Sequence, residues 1–247
     1  MKDFGPESFG EYNADGYDRS YGNPSDAETK KTVDVLANLA AGGTILELAI
    51  GTGRIGLPLA AQGLSVSGIE ASAKMVDKLR EKPGGDAIDV TIGDMADVGV
   101  DGTFDLIYLV FNTLFNLTSQ AEQVRCFKNV SKHLSEGGLF VIEAYVPDPS
   151  QYENGESLKT VHIAIDRVVL EASVHNSALQ TVDYQYIELT ENGMRLHPLP
   201  VRYVWPSEFD LMAQLAGLDL HQRWAGWDRS PFTASSSSHV SVYKRNK

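Results

Sequence analysis

The chain reads as an α/β protein built on a mostly parallel seven-stranded sheet, with an antiparallel C-terminal strand and a β-rich insert. Three observations predict this. Between Thr44 and Tyr145, five short apolar runs alternate with stretches of helical periodicity, the pattern of parallel strands covered on both faces. From Thr160 to Tyr203 the helical pattern gives way to runs rich in Val, Ile, Thr and Tyr, broken by the turn signals His175-Asn176-Ser177 and Glu191-Asn192-Gly193. After Trp205 a helix is followed by two strand-like runs around a loop, which suggests a closing antiparallel hairpin.

Taken in order, residues 1–25 are rich in Gly, Asp, Ser and Tyr and are expected to form an irregular lid arm. Gly5, Gly10, Gly16 and Gly22 interrupt it, yet Tyr12, Tyr17 and Tyr21 are unusual in a free tail, since disordered segments are poor in aromatics. Residues 26–150 form the ligand-binding core. Its first helix spans 26–40, capped by Ser25 or Asp26 and ended by Gly42-Gly43. Strands are expected at Thr44–Ala49, Leu64–Ile69, Ala87–Ile92, Phe104–Phe111 and Leu139–Tyr145. Helices fall at Gly53–Gln62, Ala73–Glu81 and Gln120–Leu134. Residues 151–204 are the antiparallel insert, a lid or an oligomerisation surface. Residues 205–247 return to the core, with Pro206 in the first turn of a helix that runs to Ala216. Strands at Leu218–Trp224 and His239–Lys244 follow.

Composition narrows the function. The formal net charge is −12, from 21 basic and 33 acidic residues, and no basic cluster offers phosphates a counter-charge. Nucleic acid and anionic membranes are therefore disfavoured as partners. No apolar run approaches the roughly 20 residues that span a bilayer, and Met1–Asn13 lacks the apolar segment of a secretion signal. A cytoplasmic location is expected. Cys126 reads as a core residue in a helix. No His or Cys spacing argues for a metal, and the six histidines read as surface or structural residues.

The strongest motif is Ile45-Leu46-Glu47-Leu48-Ala49-Ile50-Gly51-Thr52-Gly53-Arg54-Ile55-Gly56, a G-x-G-x-x-G between a strand and a helix. Glycines there allow a ligand to approach the backbone closely. Glu70, nineteen residues after Gly51, ends the next strand and suits ribose hydroxyls. This much fits NAD as well as S-adenosylmethionine. Glu47 tips the reading towards S-adenosylmethionine, because an acid there can engage the methionine ammonium but is unwelcome beside a pyrophosphate. Asp94, in Ile92-Gly93-Asp94-Met95, is placed for the adenine amino group. The closing C-terminal hairpin points the same way, since a dehydrogenase of this length would continue with parallel units.

At these residues the chain resembles class I S-adenosylmethionine-dependent methyltransferases, which have a Rossmann-like fold. Glu47–Gly53 is similar to the family's first motif, with Ala49 where glycine is common. Ile69-Glu70-Ala71-Ser72 with Met75 resembles the second, and Gly93-Asp94-Met95 the third. Phe104–Ile107 resembles the fourth strand, and Leu134-Ser135-Glu136-Gly137-Gly138-Leu139 the L-x-P-G-G turn, with Glu136 replacing proline. The arm Tyr12–Tyr21 resembles the start of small-molecule enzymes of antibiotic and amino-sugar pathways.

The resemblance implies a cofactor site made by Tyr21, Glu47, Ala49, Gly51, Gly53, Arg54, Glu70, Ala71, Met75, Asp94, Met95, Val110 and Phe111. S-adenosylhomocysteine would be the product. Methyl transfer needs alignment and exclusion of water, and a sulfonium favours aromatic faces. Tyr17, Tyr21, Phe111 and Phe115 are the candidates at the transfer site, and Tyr12, Tyr17, Phe115 and Tyr145 for the acceptor. Arg202, Tyr203, Trp205 and Trp227 are further candidates. The acceptor is a small molecule methylated on N or O; a non-catalytic S-adenosylmethionine-binding regulator is the alternative.

Overall fold

A computed structural model of the protein describes residues 1, 4–21, 26–97 and 99–245, without the side chains of Ser20 and Tyr21. Its main sheet runs through β1 (Thr44–Leu48), β2 (Ser65–Glu70), β3 (Asp89–Ile92), β4 (Phe104–Leu109) and β5 (Leu134–Tyr145). β10 (Leu218–Trp224) and β11 (Ser238–Arg245) complete it, in the order β10-β11-β5-β4-β1-β2-β3. β11 lies antiparallel to both β5 and β10, while the β1–β2, β1–β4, β2–β3 and β4–β5 pairs are parallel. The sequence pattern predicts this arrangement.

Alternate strand residues face opposite sides of the sheet, and so build two apolar cores. Leu46, Leu48, Ile107 and Phe140 pack with Phe127 of α5 (Gln120–His133) and Phe209 of α6 (Pro206–Leu215). On the other face, Ile45, Leu106 and Val141 pack with Leu36 of α2 (Ala27–Ala40) and Leu59 of α3 (Gly56–Ala61). Helix starts follow local capping chemistry. Asp26 accepts from Glu28 N–H, Ser72 caps α4 (Ala73–Arg80), and Ser119 with Glu122 forms a capping box on α5. α3 opens later than its periodicity suggests, because Gly51 and Gly53 have φ of +57° and +80° and must first complete the loop.

The insert is a four-stranded antiparallel meander of β6 (Glu156–Ile163), β7 (Arg167–Asn176), β8 (Thr181–Thr190) and β9 (Gly193–Arg202). Arg202, with a side chain 7% exposed, pairs with Glu208 at 2.7 Å and donates to Gln123 at 2.5 Å, tying β9 to α6 and α5.

One expectation is corrected: the N-terminal arm is not irregular. Ser8–Tyr21 forms a 14-residue helix, α1. Gly10 and Ala14 are buried on it and Tyr17 is half-buried, an i, i+4, i+7 stripe made largely of small residues. Gly10 serves close packing here: a Cβ at that position would lie 2.3 Å from Ser72 Cβ. Glu11 pairs with Lys74 at 2.8 Å and Asp18 with Lys82 at 2.7 Å, fastening α1 along α4 and the turn that follows it.

Candidate cofactor and acceptor site

A cavity of about 600 Å³ opens where the parallel strands end, the crevice that open α/β sheets present to ligands. Ala49 and Gly51 follow β1; Glu70, Ala71 and Met75 follow β2; Asp94 and Met95 follow β3. Phe111, Asn112 and Phe115 follow β4, and Tyr145 ends β5. Phe9, Gly10 and Tyr17 of α1 cover one side, and the insert closes the opposite side with Lys159, Glu171, Tyr184 and Tyr186.

Glu70 organises one end of the cavity. Its carboxylate accepts from Gly51 N–H and from Ser72 N–H, each at 2.9 Å, joining the loops after β1 and β2. Burial pushes its pKa up, opposed by these backbone donors. The remaining lone pairs suit the two hydroxyls of a ribose. At Gly51 an added Cβ would have no atom closer than 4.0 Å, and at Gly93 nothing within 4 Å, so both border open space. Ala49 takes φ +54°, which explains why glycine is favoured there.

Glu47 lies behind this loop and outside the cavity lining. It is 4% exposed, and a Cβ on Gly56 would meet its Oε2 at 2.7 Å. Oε2 has no hydrogen-bond partner, as is also true of the buried Tyr108 hydroxyl. Burial pushes the Glu47 carboxyl up to about 8, opposed by Tyr108 and by the charge of Arg54. The Arg54 guanidinium stacks 4.5 Å from the Phe111 ring centroid, so it supports the cavity wall without lining it.

The loop after β4 is held in an uncommon backbone shape. Phe111 and Asn112 have φ of +61° and +62°, two consecutive non-glycine residues in the left-handed region. Glu143 accepts from Phe111 N–H at 2.8 Å, and Asn112 Oδ1 accepts from Tyr145 N–H at 2.6 Å. The Tyr145 ring meets Phe115 edge-on at 4.8 Å, making one aromatic wall.

Of the residues expected at the site, the cavity therefore gathers Tyr17, Ala49, Gly51, Glu70, Ala71, Met75, Asp94, Met95, Phe111, Phe115 and Tyr145. Gly53 packs on Leu57 instead, Val110 is buried in the core, and Tyr12 is 54% exposed, away from the lining. The expectation for the Tyr21 ring falls outside the described residues. Tyr203 hydrogen-bonds His175 at 3.0 Å, Trp205 precedes the first turn of α6, and Trp227 donates to Glu143. Lys159, Glu171, Tyr184 and Tyr186 are not legible in the sequence: only the strand register brings them to the site. The one Tyr-x-x-x-Lys spacing, which a dehydrogenase could use, begins at Tyr243, fully buried and outside the cavity.

A parallel sheet whose strand ends carry a glycine loop, a ribose-ready carboxylate and an aromatic wall defines a nucleoside-cofactor transferase. Residues 45–138 match the methyltransferase domain family. The CcbJ methyltransferase from Streptomyces caelestis is 36% identical, with a TM-score of 0.92 and coverage of 99% of this chain and 100% of that one. Cypemycin N-terminal methyltransferase from Streptomyces sp is 28% identical over 207 residues, 83% of this chain and 84% of the relative. CalS10, an amino pentose methyltransferase from Micromonospora echinaspora, shares the fold at 20% identity and a TM-score of 0.67, covering 94% and 95% of the two chains. The chain belongs to the class I methyltransferase family, whose cofactor is S-adenosylmethionine. Among the described residues, no helix is long and apolar enough to cross a membrane.

Proposed function

We propose that the protein methylates an amine nitrogen of a small molecule. The observation that carries this reading is the continuity of one cavity, from Glu70 and Asp94 at the nucleoside end to the insert's polar face. The name of the cypemycin relative supports an amine acceptor, and so does the excess of carboxylates over cations along the lining. Glu70 would hold the ribose and Asp94 the adenine amino group. Bound S-adenosylmethionine supplies a methyl carbon already activated by its sulfonium. Phe111, Phe115, Tyr17 and Tyr145 would align the acceptor and exclude water, the positioning contribution that dominates such a displacement. Glu47 supports the loop from behind. The chain's charge of −12 argues against a nucleic-acid acceptor, and we place the enzyme in the cytoplasm.

The test is incubation with S-adenosylmethionine and L-alaninamide, read by mass spectrometry. N-methylated alaninamide together with S-adenosylhomocysteine supports the proposal; consumption of the cofactor with methylation only of hydroxyl acceptors overturns the choice of nitrogen.

We also assign the insert's outward face to pairing with a second copy of the chain. Leu158, Ile163, Met194 and Leu196 are 50–71% exposed there. Four strands about 4.8 Å apart, each about 30 Å long, give a face on the order of the ~800 Å² per partner of a stable interface. Sedimentation should show a dimer that Leu196→Glu dissociates; a wild-type monomer at micromolar concentration refutes the assignment.

A further inference from the structure

The insert sheet turns an apolar face outward, while its inward face brings polar side chains to the cavity beside Leu199 and Val201. At one level of the strand register, Lys159 of β6 stands opposite Glu171 of β7, and Glu171 opposite Tyr186 of β8. All three line the cavity, and Tyr184 lines it one step along.

The Glu171 carboxylate is 14% exposed, yet among the described residues no hydrogen-bond donor reaches it. Its ionic partner among them is Lys159, whose Nζ stands 3.9 Å from Oε1, beyond hydrogen-bond distance. Lys159 instead donates to Gln151 and is 42% exposed. A mostly buried carboxylate that ends short of its donors is an expensive arrangement unless a ligand completes it. The charge balance identifies the ligand: among the described residues the cavity is lined by the carboxylates of Glu70, Asp94, Glu122 and Glu171, against the single cation Lys159. Tyr184 and Tyr186 add two electron-rich rings, 6.3 Å apart and nearly parallel, beside the same carboxylate.

We infer that Glu171 is a specificity-determining residue that binds a positively charged nitrogen of the acceptor from the insert side of the cavity. This rests on the methyl-transfer reading, and it adds the chemistry of recognition. An ammonium seated on Glu171 takes the hydrogen-bonding place that Lys159 does not reach, and it must release one proton to solvent before its nitrogen attacks the methyl carbon. A hydroxyl of the same size gains no ion pair there, so neutral analogues are rejected.

The test is ligand-observed NMR titration of the full-length protein saturated with S-adenosylhomocysteine, using L-alaninamide and its neutral isostere lactamide. Wild type should bind alaninamide about 10- to 100-fold more tightly than lactamide, the scale of one charge-assisted hydrogen bond. Glu171→Gln should abolish that preference while leaving S-adenosylhomocysteine binding unchanged. Lys159→Met, which leaves the carboxylate in place, should keep the preference or increase it. Equal binding of the two probes by wild type, binding of neither, or full preference in Glu171→Gln would overturn the inference. Failure of wild type to bind S-adenosylhomocysteine at all would instead overturn the cofactor reading beneath it.

Discussion

Trp227 and Glu143 form a hydrogen bond of 2.8 Å that reaches the loop after β4 through a single carboxylate. Glu143 Oε1 accepts from the indole N–H, and Oε2 accepts from Phe111 N–H, also at 2.8 Å. The C-terminal loop thereby fixes the left-handed backbone of Phe111. Replacing Glu143 with Gln turns one acceptor into a donor facing a donor. The expected loss is about 1.5–3 kcal/mol in loop stability, seen as a lower kcat with cofactor affinity nearly unchanged. Steady-state kinetics with a methyl acceptor checks this, and a wild-type kcat in Glu143→Gln would remove the positioning role.

Glu47 gives a pH signature. Burial raises its pKa in the folded state to about 8, from the ordinary 4.5. The folded state therefore holds the proton more tightly, and stability falls as pH rises from about 4.5 through about 8. Glu47→Gln removes this dependence. Without cofactor, its melting temperature should exceed wild type by several degrees at pH 9 and match it near pH 4.5. Calorimetric scans at the two pH values decide the matter; a constant difference across them would show that Glu47 does not titrate there.

The core and its cofactor motif were legible because their signals are local. A strand, two positive-φ glycines, a helix and an acid nineteen residues on are all contained in one βαβ unit. The polar face of the insert was not. Glu171 and Lys159 become cavity residues only through strand pairing, and no short-range pattern announces which face of an isolated meander turns inward. α1 is hidden for a different reason: Gly10, which allows its close approach to α4, reads as a helix breaker, and a stripe of small residues gives little apolar periodicity.

α1 packs on α4 through a narrow stripe of small residues, and the ion pairs at its edge contribute only about 0–1 kcal/mol each. It is therefore proposed to open and close over the cofactor. Amide hydrogen exchange in residues 8–19 should slow by about tenfold or more when S-adenosylhomocysteine is added. Equal protection with and without it would make α1 a fixed wall.

The central claim is that Glu70 and the glycine loop hold the ribose of S-adenosylmethionine. Calorimetric titration of wild type and Glu70→Ala with S-adenosylhomocysteine and with NAD tests it most directly. Wild type should bind S-adenosylhomocysteine and not NAD, and Glu70→Ala should remain folded while binding about 1.5–3 kcal/mol more weakly. Binding of NAD without S-adenosylhomocysteine, or undiminished affinity in Glu70→Ala, would contradict the account.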